Sequence, residues 1–370
     1  MNFSVKTNTL LNYISKIIGI IPSRSTIPEL ENFLFSLSEN NLTITGTDTE
    51  VTIISKLNVV GEKDGEILVP AKKLFDTLKN QSEKTLNFVL EDGKTKVKIS
   101  TETGVFHPGG ISAENFIELP ILKDEEKFYL KGESLKDLIN TTSFAVSADD
   151  LRPAMMGVYF KIEGKKITAV STDGHRLVKK TISVESNDEK EFIIPAKALL
   201  QIEKHINNEK EEIEIKLNKE YISFKVGESE IISRLICEKY PNYSAVIPTD
   251  NNTKLKTVKD ELTRAVKSVS LYSNSISHQT KFNVKKNKIK ISAEDTDLGQ
   301  DASENINCEY SGEEFEVGFN ANYILEALTH IKNENIVFRF SAPSKAVILV
   351  PAEQNKNEDV LMLVMPVRLS

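Results

Sequence analysis

One heptad occurs three times at a single spacing. Val69-Pro70-Ala71-Lys72-Lys73-Leu74-Phe75 is matched by Ile194-Pro195-Ala196-Lys197-Ala198-Leu199-Leu200, and more loosely by Phe319-Asn320-Ala321-Asn322-Tyr323-Ile324-Leu325. The spacing is constant (195 − 70 = 320 − 195 = 125 residues). Such a period is too long for a solenoid unit and is the size of a domain. Other features recur in the same order. An apolar helical pattern precedes each heptad: Leu10, Leu11, Ile14, Ile17 and Ile18; then Leu135, Leu138 and Ile139; then Leu262, Ala265, Val266 and Val269. Between helix and heptad lie a strand and a turn, Leu42 to Asp48, repeated at Ile167 to Asp173 and more weakly at Ile289 to Ala293. One matching heptad is within reach of chance; three features in one order at one offset are not. The 370 residues are therefore expected to be three copies of one fold, at 1–124, 125–249 and 250–370.

Each copy reads as strand, helix, strands, helix, strands. In the first, Phe33 to Leu37, Leu42 to Thr45 and Val51 to Leu57 are strand-like, with Glu39-Asn40-Asn41 as a turn signal. Pro70 suits a first helical turn, and Leu74, Phe75 and Leu78 supply an apolar stripe behind it. Leu86 to Leu90 and Thr95 to Ser100 flank Glu91-Asp92-Gly93-Lys94, a hairpin signal. Ile213 to Leu217 with Tyr221 to Val226, and Val337 to Phe340 with Ala346 to Val350, repeat that pair of strands. Polar stretches after Pro120 and Pro248 are the expected linkers. The pattern predicts an α+β fold, two helices against antiparallel sheets in each copy.

Composition excludes some classes. No apolar run approaches the roughly 18 residues that span a membrane. Met1-Asn2-Phe3-Ser4-Val5 alternates like a strand and lacks a basic signal-peptide region. Cys237 and Cys308 are the only cysteines and have no metal or redox spacing, which fits a reducing compartment and a cytoplasmic protein. The formal net charge of −7 weighs against a uniformly basic nucleic-acid binder, although segregated faces hide inside a sum.

Thr172-Asp173-Gly174-His175-Arg176-Leu177 has the look of an active site, because Asp and His two apart can form an acid–base pair. The competing reading is a tight turn between strands, with Asp-Gly at its bend. No second His, no Cys and no G-x-S-x-G motif accompanies it. His107, His175, His205, His278 and His330 are scattered without paired spacing, so neither a metal nor another cofactor is expected. Cations mark the helices: Lys72, Lys73, Lys79, Lys197 and Lys204 on the heptad helices, Lys332 after the third, and Lys16, Lys136, Lys259, Arg264 and Lys267 on the preceding ones, with Arg24 close behind the first. They form either a solvated face or a basic lining shared by all copies. The end of the chain, Val360 to Leu369, is apolar almost throughout, which reads either as a last edge strand or as an adaptable surface for a partner peptide.

These residues carry a resemblance. Thr172 to Leu177, Tyr240-Pro241-Asn242-Tyr243, Gly318-Phe319-Asn320 and Val364-Met365-Pro366-Val367-Arg368-Leu369, in order within a triplicated chain, resemble the bacterial DNA polymerase III β sliding-clamp family over the whole length. The resemblance implies a non-catalytic processivity factor: two chains of three domains closing a ring around duplex DNA, helices lining the hole. The same ring answers a physical need, since three repeats leave sheet edges at both ends that head-to-tail pairing would cover. Arg24, Lys72, Lys73, Lys136 and Lys197 would then meet phosphates without reading sequence. The dimer contact is expected near Phe106 on one side and Leu271 and Tyr272 on the other.

The family also carries a pocket in which the replicative polymerase and other proteins with a clamp-binding motif dock a peptide, and it is handled by a clamp loader. Matched by position, that pocket takes Met155, Thr172, Gly174, His175, Arg176 and Leu177 from the second copy. Pro241 and Val246 follow, and the tail adds Leu363, Met365, Pro366, Val367 and Arg368. Arg176 would hydrogen-bond the peptide and His175 would shape the rim. Departures stand at Ala245, where some relatives are basic, at Pro153 and Ala154, where some carry aromatics, and at Ser370, one residue beyond the usual terminal Leu.

Overall fold

A computed structural model describes residues 1–91, 95–123, 125–184, 189–342 and 344–369. The expected hairpin tip at Asp92-Gly93-Lys94 lies outside the described residues. Among the described residues, six α-helices occupy the places the repeat predicts: α1 Thr7–Ile17, α2 Ala71–Lys79, α3 Gly132–Thr142, α4 Ala196–His205, α5 Lys259–Ser270 and α6 Ala321–His330. The starts of α2, α4 and α6 keep the heptad's offset (196 − 71 = 321 − 196 = 125). Each helix buries one stripe. In α5, Leu262, Ala265, Val266 and Val269 stand at i, i+3, i+4 and i+7 and are all buried. In α2, Leu74 and Leu78 are buried while Lys72 and Lys73 stay in solvent. Pro70 sits at the N-cap of α2, where its missing N–H leaves no further donor unsatisfied.

The strands form four antiparallel sheets, and the chain divides into two compact units. The first unit, Met1–Lys136 with Lys197–Leu235, holds a five-stranded and an eight-stranded sheet. The second, Asp137–Ala196 with Ile236–Ser370, holds an eight-stranded and a four-stranded sheet. The middle repeat therefore contributes to both units. Each eight-stranded sheet is four strands of one repeat joined to four of the next. In the first unit Ser229–Arg234 pairs with Val51–Asn58, Ile231 opposite Ile53. In the second, Glu358–Val364 pairs with Arg176–Ser183, Leu363 opposite Leu177. On its other side Glu358–Val364 pairs with Val347–Pro351. The apolar end of the chain is thus not an edge strand: it is central, and its continuous apolar run reflects burial on both faces. The smaller sheets keep free edges, Val105–Phe106 in the first unit and Gln300–Asn307 in the second.

Aromatic rings fill the cores. Phe3 stacks on Phe88 at 4.8 Å in the first unit, and Phe282 meets Phe319 edge-on at 5.2 Å in the second. All four are buried, and full burial of such a side chain stabilises by about 1.5–3 kcal/mol. One further contact recurs three times. The strand entering each heptad helix is bridged at the same position by a segment from the end of a repeat: Leu68 by Ile111, Ile193 by Ile236, and Gly318 by Val367.

Candidate functional site

The Thr172–Arg176 segment is a turn joining strand Lys166–Thr172 to strand Arg176–Ser183. Asp173 builds it: its Oδ1 accepts the N–H groups of His175 (2.8 Å) and Arg176 (3.0 Å), the local bonding that favours Asp in turns. Gly174 has φ +92°, a left-handed conformation suited to glycine, and a Cβ there would stand 3.0 Å from Nη1 of Arg152. The other Asp173 oxygen accepts from Arg176 Nε at 3.0 Å. Both Asp173 oxygens are thus engaged in holding the turn and Arg176. Asp48 makes the same turn in the first repeat, accepting from Glu50 and Val51 N–H at 3.1 and 2.7 Å. The turn is a property of the fold, repeated without an adjacent His in the first copy.

Beyond the turn lies an apolar floor. Leu177, Leu363, Val170, Ile193, Ala346 and Tyr240 form one buried cluster, with Tyr159 and Tyr243 packed against it. Tyr240 stacks on Tyr159 at 5.0 Å. Burial and the Glu191 carboxylate that accepts the Tyr159 hydroxyl at 2.7 Å both push that hydroxyl's pKa up, so it stays a donor. Met155 and Thr172 are buried beside the floor, and Thr172 Oγ1 donates to the Arg176 carbonyl at 2.6 Å. Above it apolar side chains face solvent: Val246 is 56% exposed and Met365 40%. Gly174, His175, Pro241 and Arg368 are exposed, while Pro366 and Val367 are half-buried. The tail is fixed at two points, by Met365 N–H to the His175 carbonyl (2.8 Å) and Val367 N–H to the Gly318 carbonyl (2.9 Å). All the residues expected to share a pocket belong to the second unit, and the turn, the floor and the tail are joined by these bonds.

Arg176 is held from several elements. Its side chain is 10% exposed, and each of its three nitrogens already donates: Nε to Asp173, Nη1 to Glu326 and Nη2 to the Phe144 carbonyl at 2.8 Å. The guanidinium also lies over the rings of Tyr323 (4.9 Å) and Phe144 (5.3 Å). The hydrogen bonds use three of its five N–H donors and tie the guanidinium to the fold. Sequence reasoning missed Phe144 and Glu326, because nothing in their local pattern shows that they meet Arg176 across the chain.

The cations divide. Lys197 pairs with Asp48, Lys136 with Glu209 at 3.1 Å and Lys72 with Asp76 at 3.5 Å. Arg24 and Lys73 are exposed and have no carboxylate partner among the described residues. Phe106 is half-buried on the free edge Val105–Phe106; Leu271, at the end of α5, is 79% exposed and Tyr272 44%. No group of three metal-ligating side chains occurs among the described residues, and no helix there is long and apolar enough to cross a membrane.

Three repeats, a non-catalytic turn and a solvent-facing apolar surface define a scaffold of clamp domains. Three family models of the DNA polymerase III β subunit match in series: the N-terminal domain over residues 1–120, the central domain over 129–242 and the C-terminal domain over 244–368. The chain is 30% identical to the β sliding clamp of Chlamydia pneumoniae over 371 residues, covering all of this chain and 99% of that one. It is 29% identical to the clamp of Haemophilus influenzae over 379 residues, covering both completely. The crystal structure of the Pseudomonas aeruginosa clamp bound to griselimycin superimposes with a TM-score of 0.93 at 27% identity over the whole of both chains. The chain belongs to the DNA polymerase III β sliding-clamp family, whose members are DNA sliding clamps and non-catalytic processivity subunits. The acid–base alternative at Asp173 and His175 is set aside on both grounds.

Proposed function

We propose that this clamp works as a closed head-to-tail homodimer around duplex DNA in the cytoplasm, with its three domains bounded near residues 124 and 249. Two regularities support closure. The last sheet strand of a repeat pairs with the strand that follows the turn in its neighbour, as Ser229–Arg234 does with Val51–Asn58 and Glu358–Val364 with Arg176–Ser183. Continued between chains, the rule pairs Val105–Phe106 of one copy with Gln300–Asn307 of another, both edge strands of their sheets. The helices follow a parallel rule. The end of the first helix of a repeat meets the second helix of the next: Gly19 lies against the Gln201 side chain, and Phe144 stacks on His330 at 4.1 Å. Leu271 and Tyr272 hold the corresponding place after α5, and α2 of a second copy is the helix left to receive them.

DNA is held without base readout. Arg24 and Lys73, free of carboxylates, supply phosphate contacts first; Lys72, Lys136 and Lys197 exchange their acidic partners for phosphate. The replicative polymerase, the clamp loader and other proteins with a clamp-binding motif dock short peptides on the surface of Leu177, Pro241, Val246, Met365 and Pro366. The observation that carries this is the exposure of Val246 and Met365 above a buried apolar floor. Griselimycin, which the Pseudomonas aeruginosa clamp binds, is proposed to occupy the same surface. Retention on DNA tests the ring: the loaded protein stays on circular DNA and slides off after linearisation. Equal loss from both forms rejects topological closure.

A further inference from the structure

A run of rings and charge links helix α6 to the rim of the peptide surface. The His330 ring lies parallel to Phe144 at 4.1 Å, Arg176 lies over Phe144 at 5.3 Å and over Tyr323 at 4.9 Å, and Tyr323 stacks with His175 at 6.3 Å. His175 is exposed at the rim, and its carbonyl receives the Met365 N–H that places the tail. Phe144 is far from that rim in the order of contacts, yet its ring and its carbonyl both hold Arg176.

The other junction between repeats supplies the comparison. At the positions 125 residues earlier, Phe144, Arg176 and Tyr323 are replaced by Gly19, Val51 and Ala198. Leu177 and Val170 of the apolar floor are replaced there by Thr52 and Thr45. Two junctions share a backbone, and only the one with the apolar floor carries the stack. A merely architectural stack has no reason to follow the floor.

We propose that Phe144 is a positioning residue for partner binding: through Arg176 and Tyr323 it sets the turn at His175, and with it the Met365 wall. The inference rests on the reading of that surface as the peptide pocket. Phe144→Ala removes the cation–π contact and keeps the carbonyl bond to Arg176, which loosens the turn without unfolding the unit.

The test is calorimetry of a short synthetic peptide with leucine and phenylalanine anchors against full-length protein, together with the His175 ring-proton resonances. Phe144→Ala is expected to weaken the peptide about tenfold and to move those resonances, and Phe144→Tyr to restore both. Phe282→Leu, in the core of the same unit, lowers the melting temperature but leaves affinity and resonances as in the parent. Unchanged affinity in Phe144→Ala, or an equal loss in Phe282→Leu, overturns the proposal. If the parent protein binds no peptide, the pocket reading fails by itself, and unmoved His175 resonances in Phe144→Ala then reject the positioning role.

Discussion

Val367 donates its N–H to the carbonyl of Gly318 at 2.9 Å, and the bond depends on the missing side chain of Gly318. A Cβ there would stand 2.8 Å from both the Val367 carbonyl and Leu369 Cδ2. Gly318→Ala should therefore lift the tail from the second unit. Peptide affinity is expected to fall roughly tenfold, since displaced hot-spot walls cost of order 1–2 kcal/mol each. Calorimetry of Gly318→Ala against the parent checks this; unchanged affinity would put the tail outside the site.

Deleting Met365 to Ser370 removes that wall outright. Partner peptide binding should be lost while the sedimentation profile stays that of the intact protein, because the free edges Val105–Phe106 and Gln300–Asn307 are untouched. A truncated protein that sediments as monomer would show the tail to be part of the assembly.

Leu271→Asp places a carboxylate on the exposed end of α5. Burying an unpaired charge in a subunit contact costs several kcal/mol, so the variant should sediment as monomer at micromolar concentration and be lost from circular DNA. An intact dimer would move the contact elsewhere.

Arg24→Glu with Lys73→Glu should lower DNA retention alike on every sequence. Each lost phosphate contact takes about 0.9 from the slope of log affinity against log salt. Titrations at several salt concentrations read this directly, and a loss confined to one DNA sequence contradicts it.

Acid should loosen the two units by different groups. Burial holds His205 below its ordinary 6.5, Lys16 and Lys204 push the same way, and the hydrogen bond from its ring to the Gln201 carbonyl opposes them. Its stabilising contribution is present above the unfolded value of 6.5 and is lost as pH falls towards the lower folded value. Protection against hydrogen exchange at the end of α4, relative to the intrinsic rate at each pH, should accordingly fall as pH drops below 6.5, and less so in His205→Gln. In the second unit burial opposes ionisation of Asp137, but Lys180 and Lys332 outweigh it and hold the carboxyl below 3.8. That contribution is present above the unfolded value and fails only in stronger acid. Lys180 is 4% exposed but keeps Glu358 at 3.5 Å when Asp137 is lost, so Asp137→Ala should cost about 1–3 kcal/mol by denaturant melts.

The sequence was most legible where the repeat spoke. Leu74 and Leu78, or Leu262 to Val269, announce their helices because burial on one face imposes a spacing of three and four. The Asp173 turn was legible too, since Asp and Gly act on their own backbone. The tail was half-read: its apolarity showed, but whether Val360 to Val364 pairs on one side or two depends on Arg176–Ser183, remote in the chain. The partners of Arg176 were hidden for the same reason. A guanidinium on a turn looks free until Glu326 and Phe144 arrive from other elements. Charge was legible only as a sum; that Lys197 meets Asp48, while Lys73 meets no carboxylate among the described residues, is decided by tertiary geometry.

The central position of Glu358–Val364 has a consequence during synthesis. Strand Arg176–Ser183 leaves the ribosome long before its neighbour exists, and it must wait with an open backbone edge until Glu358–Val364 emerges. Completion of the second unit is thereby tied to synthesis of Glu358–Val364. A stalled or prematurely terminated product would carry that edge permanently, so a message cut short yields a sticky fragment and not a partly working clamp.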